Sequence, residues 1–413
     1  MKKLYLICAL LGFTGLWASD TYFEKSITFN SPRALGQGNS FVAQVNGLES
    51  FEYNPAGLLS KKEFTMISGN FNLISNLIQL NDDLIDIYNE DNGTNEEEVS
   101  LNQYSYFMDL ENRLEVVKAL LNQASVPYGD NIYANGLGIA PAISTGITGN
   151  GFGLGFLLNM DSEIYGTELH TSQFNSVITA SILLGYALNF DLGLIKLDVG
   201  AAVRPMYKIR SVSNLSPIVD YLMDDANSDF IEELNYYTGI GMGFDVGAKL
   251  HVWDLVVGLS IADIMGTKIQ YSENTYENIN NGKFMTSDII EDEYVTPTSV
   301  DFGFAFNPKI GSLNKLLDPT ISADYKFIFT DSNDLENYTK GNDFFNNLSL
   351  GAEVGLLSFI DVRAGLNQGY LTLGLGMKLL ILDINCAVYS FELGENVGDR
   401  QQMGAVLEFA VRL

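Results

Sequence analysis

Two histidines, His170 and His251, and two cysteines, Cys8 and Cys386, are all the chain offers for base or thiolate chemistry. Nucleophilic catalysis needs a nucleophile and a base within hydrogen-bond reach. Ser172 stands beside His170, but that pairing is too common to count. The strand pattern below puts the two histidines at opposite ends of the molecule. A structural zinc site needs four Cys or His ligands, and the chain cannot supply them convincingly. No catalytic site, no metal site and no cofactor are therefore expected. Acids are plentiful and clustered: residues 81–99 hold Asp82, Asp83, Asp86, Glu90, Asp91 and Glu96 to Glu98 without a base. Further clusters run from Asp220 to Glu233 and from Glu273 to Glu293. They could hold divalent cations or simply be solvated loops. None has the spacing of an EF-hand.

The wider composition narrows the class. Over 413 residues, 23 Lys+Arg face 51 Asp+Glu, a net charge of −28. Nucleic-acid binding needs a basic surface and is excluded. Met1, Lys2 and Lys3 precede an apolar run from Leu4 to Leu16, then Trp17-Ala18-Ser19-Asp20. That pattern is expected to be a signal peptide over residues 1–19. Its removal would take Cys8 and leave Cys386 alone, so the mature chain would hold no internal disulfide. No later stretch approaches 18 consecutive apolar residues, the length of a spanning helix.

From residue 132 onward the apolar period is two. Ile240, Met242, Phe244, Val246, Ala248 and Leu250 alternate with glycines, Asp245 and Lys249. Leu407, Phe409, Val411 and Leu413 alternate with Glu408, Ala410 and Arg412. Successive strand side chains point to opposite faces, so each segment has one greasy face and one small or polar face. The segments run beyond the usual soluble strand and suffice to cross a bilayer at a tilt. Fourteen such segments, from 64–72 to 402–413, predict an all-β fold: a 14-stranded antiparallel transmembrane β-barrel. Connections after even strands are mostly tight and those after odd strands mostly long. The longest, 73–131, carries a helical pattern at Phe107, Leu110, Leu114, Val117 and Leu121, and 216–227 suggests a second helix. These are helical insertions in outer loops. Seven bases and eight acids, Lys196, Arg204, Asp198 and Asp245 among them, fall on the lumen parity, which favours salt bridges bracing a filled barrel. Cys386 falls on the lipid face.

Residues 20–62 do not alternate. They contain Arg33-Ala34-Leu35-Gly36-Gln37-Gly38, then Phe41-Val42-Ala43, then Asn54-Pro55-Ala56-Gly57-Leu58. Gly36 and Gly38 permit tight backbone approach, and Asn54-Pro55 favours a turn. This series resembles the FadL-type outer-membrane transport proteins, most closely their FadL-like branch in spirochaetes and Bacteroidetes. The motif match covers roughly residues 31–58. The strand pattern extends it less specifically over residues 63–413.

The resemblance implies that residues 20–62 are a hatch inside the barrel, with Asn54, Pro55 and Ala56 in it, beside Gly36 and Gly38. It implies passive uptake of long-chain fatty acids or other hydrophobic compounds, and a lateral exit near the third strand, here around Leu158-Asn159-Met160-Asp161. The 73–131 insertion departs from that pattern and leaves the substrate open. A fatty acid needs a cation for its carboxylate. Lys208 and Arg210 lie on the lumen parity at the outer end of the fifth strand, and are the ligand-binding candidates; the plainer reading is surface charge at a strand end. The implied setting is the cell outer membrane, with its lipid, its assembly machinery and a hydrophobic small molecule as partners, and a monomeric chain. The alternative is a surface interaction protein, an adhesin or secretion partner, binding through acidic outer loops.

Overall fold

The computed structural model describes residues 21–75, 85–90, 92–94, 125–128, 131–134, 137–165, 173–214, 234–290, 292–329, 344–357, 359–392, 397–398 and 401–413. The expected signal peptide, both loop helices, His170 and Ser172 lie outside the described residues, as does most of the acid in 81–99 and 220–233.

Among the described residues, fourteen strands form the wall. They are β1 (Glu63–Ile74), β2 (Leu137–Ile139 continuing as Ala142–Gly149), β3 (Phe152–Tyr165), β4 (Gln173–Asp191) and β5 (Lys196–Asn214). Then come β6 (Asn235–Val252), β7 (Leu255–Ala262 continuing as Thr267–Asn274), β8 (Glu293–Thr296 continuing as Thr298–Phe306) and β9 (Leu317–Phe329). The last five are β10 (Leu348–Leu356), β11 (Ile360–Asn367), β12 (Tyr370–Leu379), β13 (Leu382–Glu392) and β14 (Gln401–Arg412). Each pairs antiparallel with its neighbour, and β14 returns to β1, Val411 opposite Ile67 and Gly404 opposite Ile74. Closure leaves no strand edge for another chain to extend.

The alternation read from sequence has its physical outcome here. On β6, Ile240, Met242, Phe244 and Val246 are exposed, whereas Asp245 and Lys249 are buried. On β8, Phe302, Phe304 and Phe306 face outward. An apolar exterior on a closed antiparallel barrel is the construction of a membrane-spanning protein, because every backbone group in hydrocarbon is satisfied within the sheet. Lys196 departs from its expected place: it is exposed at the β4–β5 turn, 4.0 Å from Asp191. The expected second strand began at 132, but Asn131–Ala134 instead forms a small hairpin with Ser125–Tyr128.

Among the described residues the wall is most deeply interrupted in β7. Between the halves of β7, residues 263–266 loop out of the ladder, with Asp263, Met265 and Gly266 at positive φ. Left-handed backbone is tolerated by Asp and strained for Met. Thr298 of β8 bridges the gap: its hydroxyl donates to the Asp263 carbonyl at 2.7 Å and accepts from the Gly266 N–H at 3.0 Å. The third strand, by contrast, is continuous and pairs with β4 along its length. Its register with β2 lapses only at Met160 and Asp161, opposite Ala140 and Pro141. Pro141 has no N–H to give, and its carbonyl accepts from the Met160 N–H at 2.9 Å.

Residues 24–59 lie inside the barrel, and the chain leaves it through exposed Lys61 and Lys62 into β1. Strand Thr21–Phe23 runs parallel to Glu293–Val295 of β8 at the long-loop end. The chain then descends through helix α1 (Pro32–Gly36), a 3-10 turn (Gly47–Glu49), helix α2 (Ser50–Tyr53) and a second 3-10 turn (Pro55–Leu59). Ile27, Phe29, Leu48, Phe51 and Leu58 form an apolar core with Leu157, Leu183, Met206, Ile269 and Tyr271 of the wall. Fully burying one such side chain is worth about 1.5–3 kcal/mol. The lumen glycines make room: a Cβ on Gly200 would stand 2.4 Å from the Pro55 carbonyl carbon, and one on Gly247 2.0 Å from Asn54 Oδ1.

Candidate functional site

Asn54 sits where the N-terminal segment meets the wall. It is fully buried. Its Oδ1 accepts from the Ala56 N–H at 3.0 Å, capping the 3-10 turn that Pro55 opens. Its Nδ2 lies within 3.2 Å of the Val42 carbonyl, 3.2 Å of the Ala248 carbonyl on β6 and 3.3 Å of the Leu259 carbonyl on β7. One amide thus ties a cap, a neighbouring loop and two strands. No shorter or branched side chain offers both an acceptor and a two-proton donor here.

Gly36 and Gly38 make the matching contact across the lumen. A Cβ on Gly36 would lie 2.8 Å from Gly374 Cα of β12, so two glycines stand back to back. Gly38 has φ +65 and no room for a Cβ beside the Leu350 and Leu366 carbonyls. Thr372 of β12 joins them, accepting from the Gly38 N–H at 2.9 Å and donating to the Gly36 carbonyl at 3.2 Å. All five residues that the sequence assigned to a hatch are buried within the lumen.

Polar anchors run the length of the segment. Asp324 of β9 accepts from the N–H groups of Phe41 at 2.5 Å and Val42 at 2.8 Å. Lys249 of β6 donates to the Val45 carbonyl at 2.5 Å. Arg33 Nη1 reaches Glu49 Oε2 at 3.3 Å and Asn46 Oδ1 at 3.2 Å. Glu52 accepts from the Phe29 N–H at 2.8 Å. Burial is the main cause that pushes the Glu52 carboxyl up to about 7, with the nearby Glu49 adding to it. Burial likewise raises Glu49.

Near the long-loop end three consecutive residues reach three parts of the wall. Glu24 Oε2 lies 2.7 Å from Lys208 Nζ, and its Oε1 accepts from the Tyr271 hydroxyl at 2.8 Å with Arg210 Nη1 3.5 Å away. Lys25 Nζ meets Asp161 at 3.1 Å and Glu163 at 2.6 Å on β3. Ser26 accepts from Arg204 Nη1 at 2.9 Å and donates to Asp263 at 2.8 Å. Arg204 also grips Asp245 through Nε and Nη2, at 2.5 and 2.7 Å, and Asp263 through Nη2 at 3.0 Å. Lys208 and Arg210 are therefore brought together inside the lumen, Lys208 only 2% exposed, and both face Glu24. His251 stands at the short-turn end, its Nε2 2.8 Å from Asp198 Oδ2.

Sequence reasoning missed Glu24, Ser26, Asp263 and Tyr271. The first two lie in a segment without periodicity, and Asp263 lies in a loop that breaks the period. Tyr271 lies in the second half of β7, beyond that loop, in a strand that runs to Asn274. Glutamate within reach of paired lumen cations was the one available signal, and it required knowing where the N-terminus runs.

Fold and lumen together define a class: a membrane-spanning β-barrel with short turns at one end, filled by its own N-terminal segment. Barrels of that construction reside in the outer membrane. No family model matches the chain, and no curated protein matches it. Among solved structures it is similar to the Ralstonia pickettii toluene transporter TbuX, at 13% identity over 94% of this chain and 100% of that one, TM-score 0.48. The Pseudomonas putida toluene transporter TodX follows at 12% identity over 92% and 96%, TM-score 0.43. A Pseudomonas aeruginosa FadL homologue matches at 10% identity over 92% and 97%, TM-score 0.41. Likeness at this level transfers neither ligand nor mechanism.

Proposed function

We propose that the protein is an outer-membrane passage for hydrophobic ligands, long-chain fatty acids among them, in which residues 20–62 act as a displaceable hatch. The observation that carries this reading is how the lumen is filled. The filling is the chain's own segment, held by hydrogen bonds, ion pairs and an apolar core, with no covalent link among the described residues. Such a plug can shift between two packings without breaking the wall. Lys208 and Arg210 are the cations for a ligand carboxylate, and the apolar cluster around Ile27, Met206 and Ile269 suits its tail. Asn54, Pro55 and Ala56, with Gly36 and Gly38, are the hinges and seats of the movement.

The test is binding of a labelled long-chain fatty acid to the refolded protein, followed by uptake into liposomes. A variant with Asn54-Pro55-Ala56 replaced by Gly-Gly-Gly is the comparison. Saturable binding with uptake that the triple replacement alters supports the reading. No binding by a demonstrably folded barrel removes fatty acids as the ligand.

A further inference from the structure

The ligand cations of the proposed passage already hold an anion, and that anion belongs to the chain. Lys208 is buried, and its ammonium touches Glu24 Oε2 at 2.7 Å and the Lys25 carbonyl at 3.1 Å. Tyr271, 1% exposed, donates to the other carboxylate oxygen. Arg210 completes the set 3.5 Å away, with its guanidinium 5.1 Å from the centre of the Tyr294 ring. Two cations and a hydroxyl thus converge on one carboxylate. Tyr271 belongs to the same buried apolar cluster as Ile27, Met206 and Ile269. A carboxylate head next to an apolar tail is the outline of an amphiphilic acid.

We infer that Glu24 is a tethered competitor for this seat, and that the seat takes the carboxylate of an amphiphilic acid when Glu24 leaves. The inference rests on the proposed function and deepens it by naming what selects the ligand. Exchanging one carboxylate for another keeps buried Lys208 paired. A neutral alcohol or hydrocarbon cannot make that exchange, because it would leave Lys208 buried without an anion. The tether is also built to release. Glu24 follows a three-residue strand, Thr21–Phe23, whose ladder is to Glu293–Val295, and its own N–H donates to the Val295 carbonyl at 2.9 Å. Three residues of parallel pairing are a short ladder beside the fourteen-residue one that joins β3 to β4. Release of Glu24 therefore frees the top of the N-terminal segment while the Asn54 and Gly38 anchors still hold.

A competitor lowers apparent affinity by the fraction of time the seat is free, so a seat occupied nine-tenths of the time binds about tenfold more weakly. The test compares oleate with oleyl alcohol, its neutral counterpart, on the purified full barrel and on Glu24→Gln, which keeps the shape and removes the charge. Oleate affinity is expected to rise about tenfold or more in the variant, oleyl alcohol binding to stay unchanged, and Lys208→Met in the same background to erase the gain. Equal or weaker oleate binding by Glu24→Gln overturns the competitor and leaves the passage standing. Oleate binding by neither protein removes fatty acids as the ligand and overturns the competitor with them. Hydrogen exchange on the unaltered chain checks the same point without a variant. Oleate should deprotect the Glu24 amide and oleyl alcohol should not; protection unchanged by saturating oleate overturns the inference.

Discussion

At the scale of single residues, the filled lumen depends on groups that have no substitute. Asn54→Ala removes a cap and leaves the Ala56 N–H buried without its acceptor, which should destabilise the docked segment by about 1–3 kcal/mol. Faster hydrogen exchange at residues 54–59, with exchange in β6 and β7 unaltered, is the expected signature. Glu52 gives the segment a pH dependence whose sign follows from its raised carboxyl. Between its ordinary value and about 7 the docked state binds more protons than the free chain. Docking is then strongest at the acid end of that window and weakens as pH rises through 7. Glu49 shifts the same way. Protease cleavage within 24–62 should therefore be faster at pH 8 than at pH 5.5, and Glu52→Gln should flatten the difference.

At the scale of elements, the strands were legible because burial in lipid on one side and polar packing on the other imposes a strict period of two. Fourteen were expected and fourteen stand, most ends within a few residues. Where the period fails, the sequence was silent. Residues 263–266 leave the β7 ladder and bring Asp263 inward, and alternation cannot foresee a residue that sits in a loop within a strand. The N-terminal segment was marked as non-alternating by its glycines and by Asn54-Pro55, yet its path, and hence the meeting of Glu24 with Lys208, is set by long-range contacts. The β7 loop also yields a graded prediction. Arg204→Met strands Asp245 and Asp263 and should destabilise the fold by roughly 3–5 kcal/mol. Ser26→Ala removes one hydroxyl that bonds Arg204 and Asp263 but leaves their ion pair intact, and should cost less, about 1.5–3 kcal/mol. Comparable effects from the two, read by resistance to unfolding in detergent, would show that the cluster is not organised around the guanidinium.

At the scale of the whole molecule, the two ends differ. The short-turn end presents Leu192, Leu194, Trp253, Leu357 and Leu380, all exposed, with Trp253 at 85%, and exposed Lys61, Lys62 and Lys309 stand among them. Aromatic and aliphatic tips with interspersed lysines suit a lipid headgroup layer. With Trp17 replaced by Phe, Trp253 is the one remaining tryptophan. Its emission should be quenched by lipids brominated near the headgroup and protected from aqueous iodide. The reverse would lift that rim clear of the membrane. The lumen itself is tested most directly by electrical conductance in planar bilayers, comparing the intact barrel with one lacking residues 21–58. A lumen filled by its own N-terminal segment predicts no large steady channel from the intact protein and a wide, stable one from the truncated barrel. A large steady conductance from the intact protein, or none from a correctly folded truncation, would contradict it.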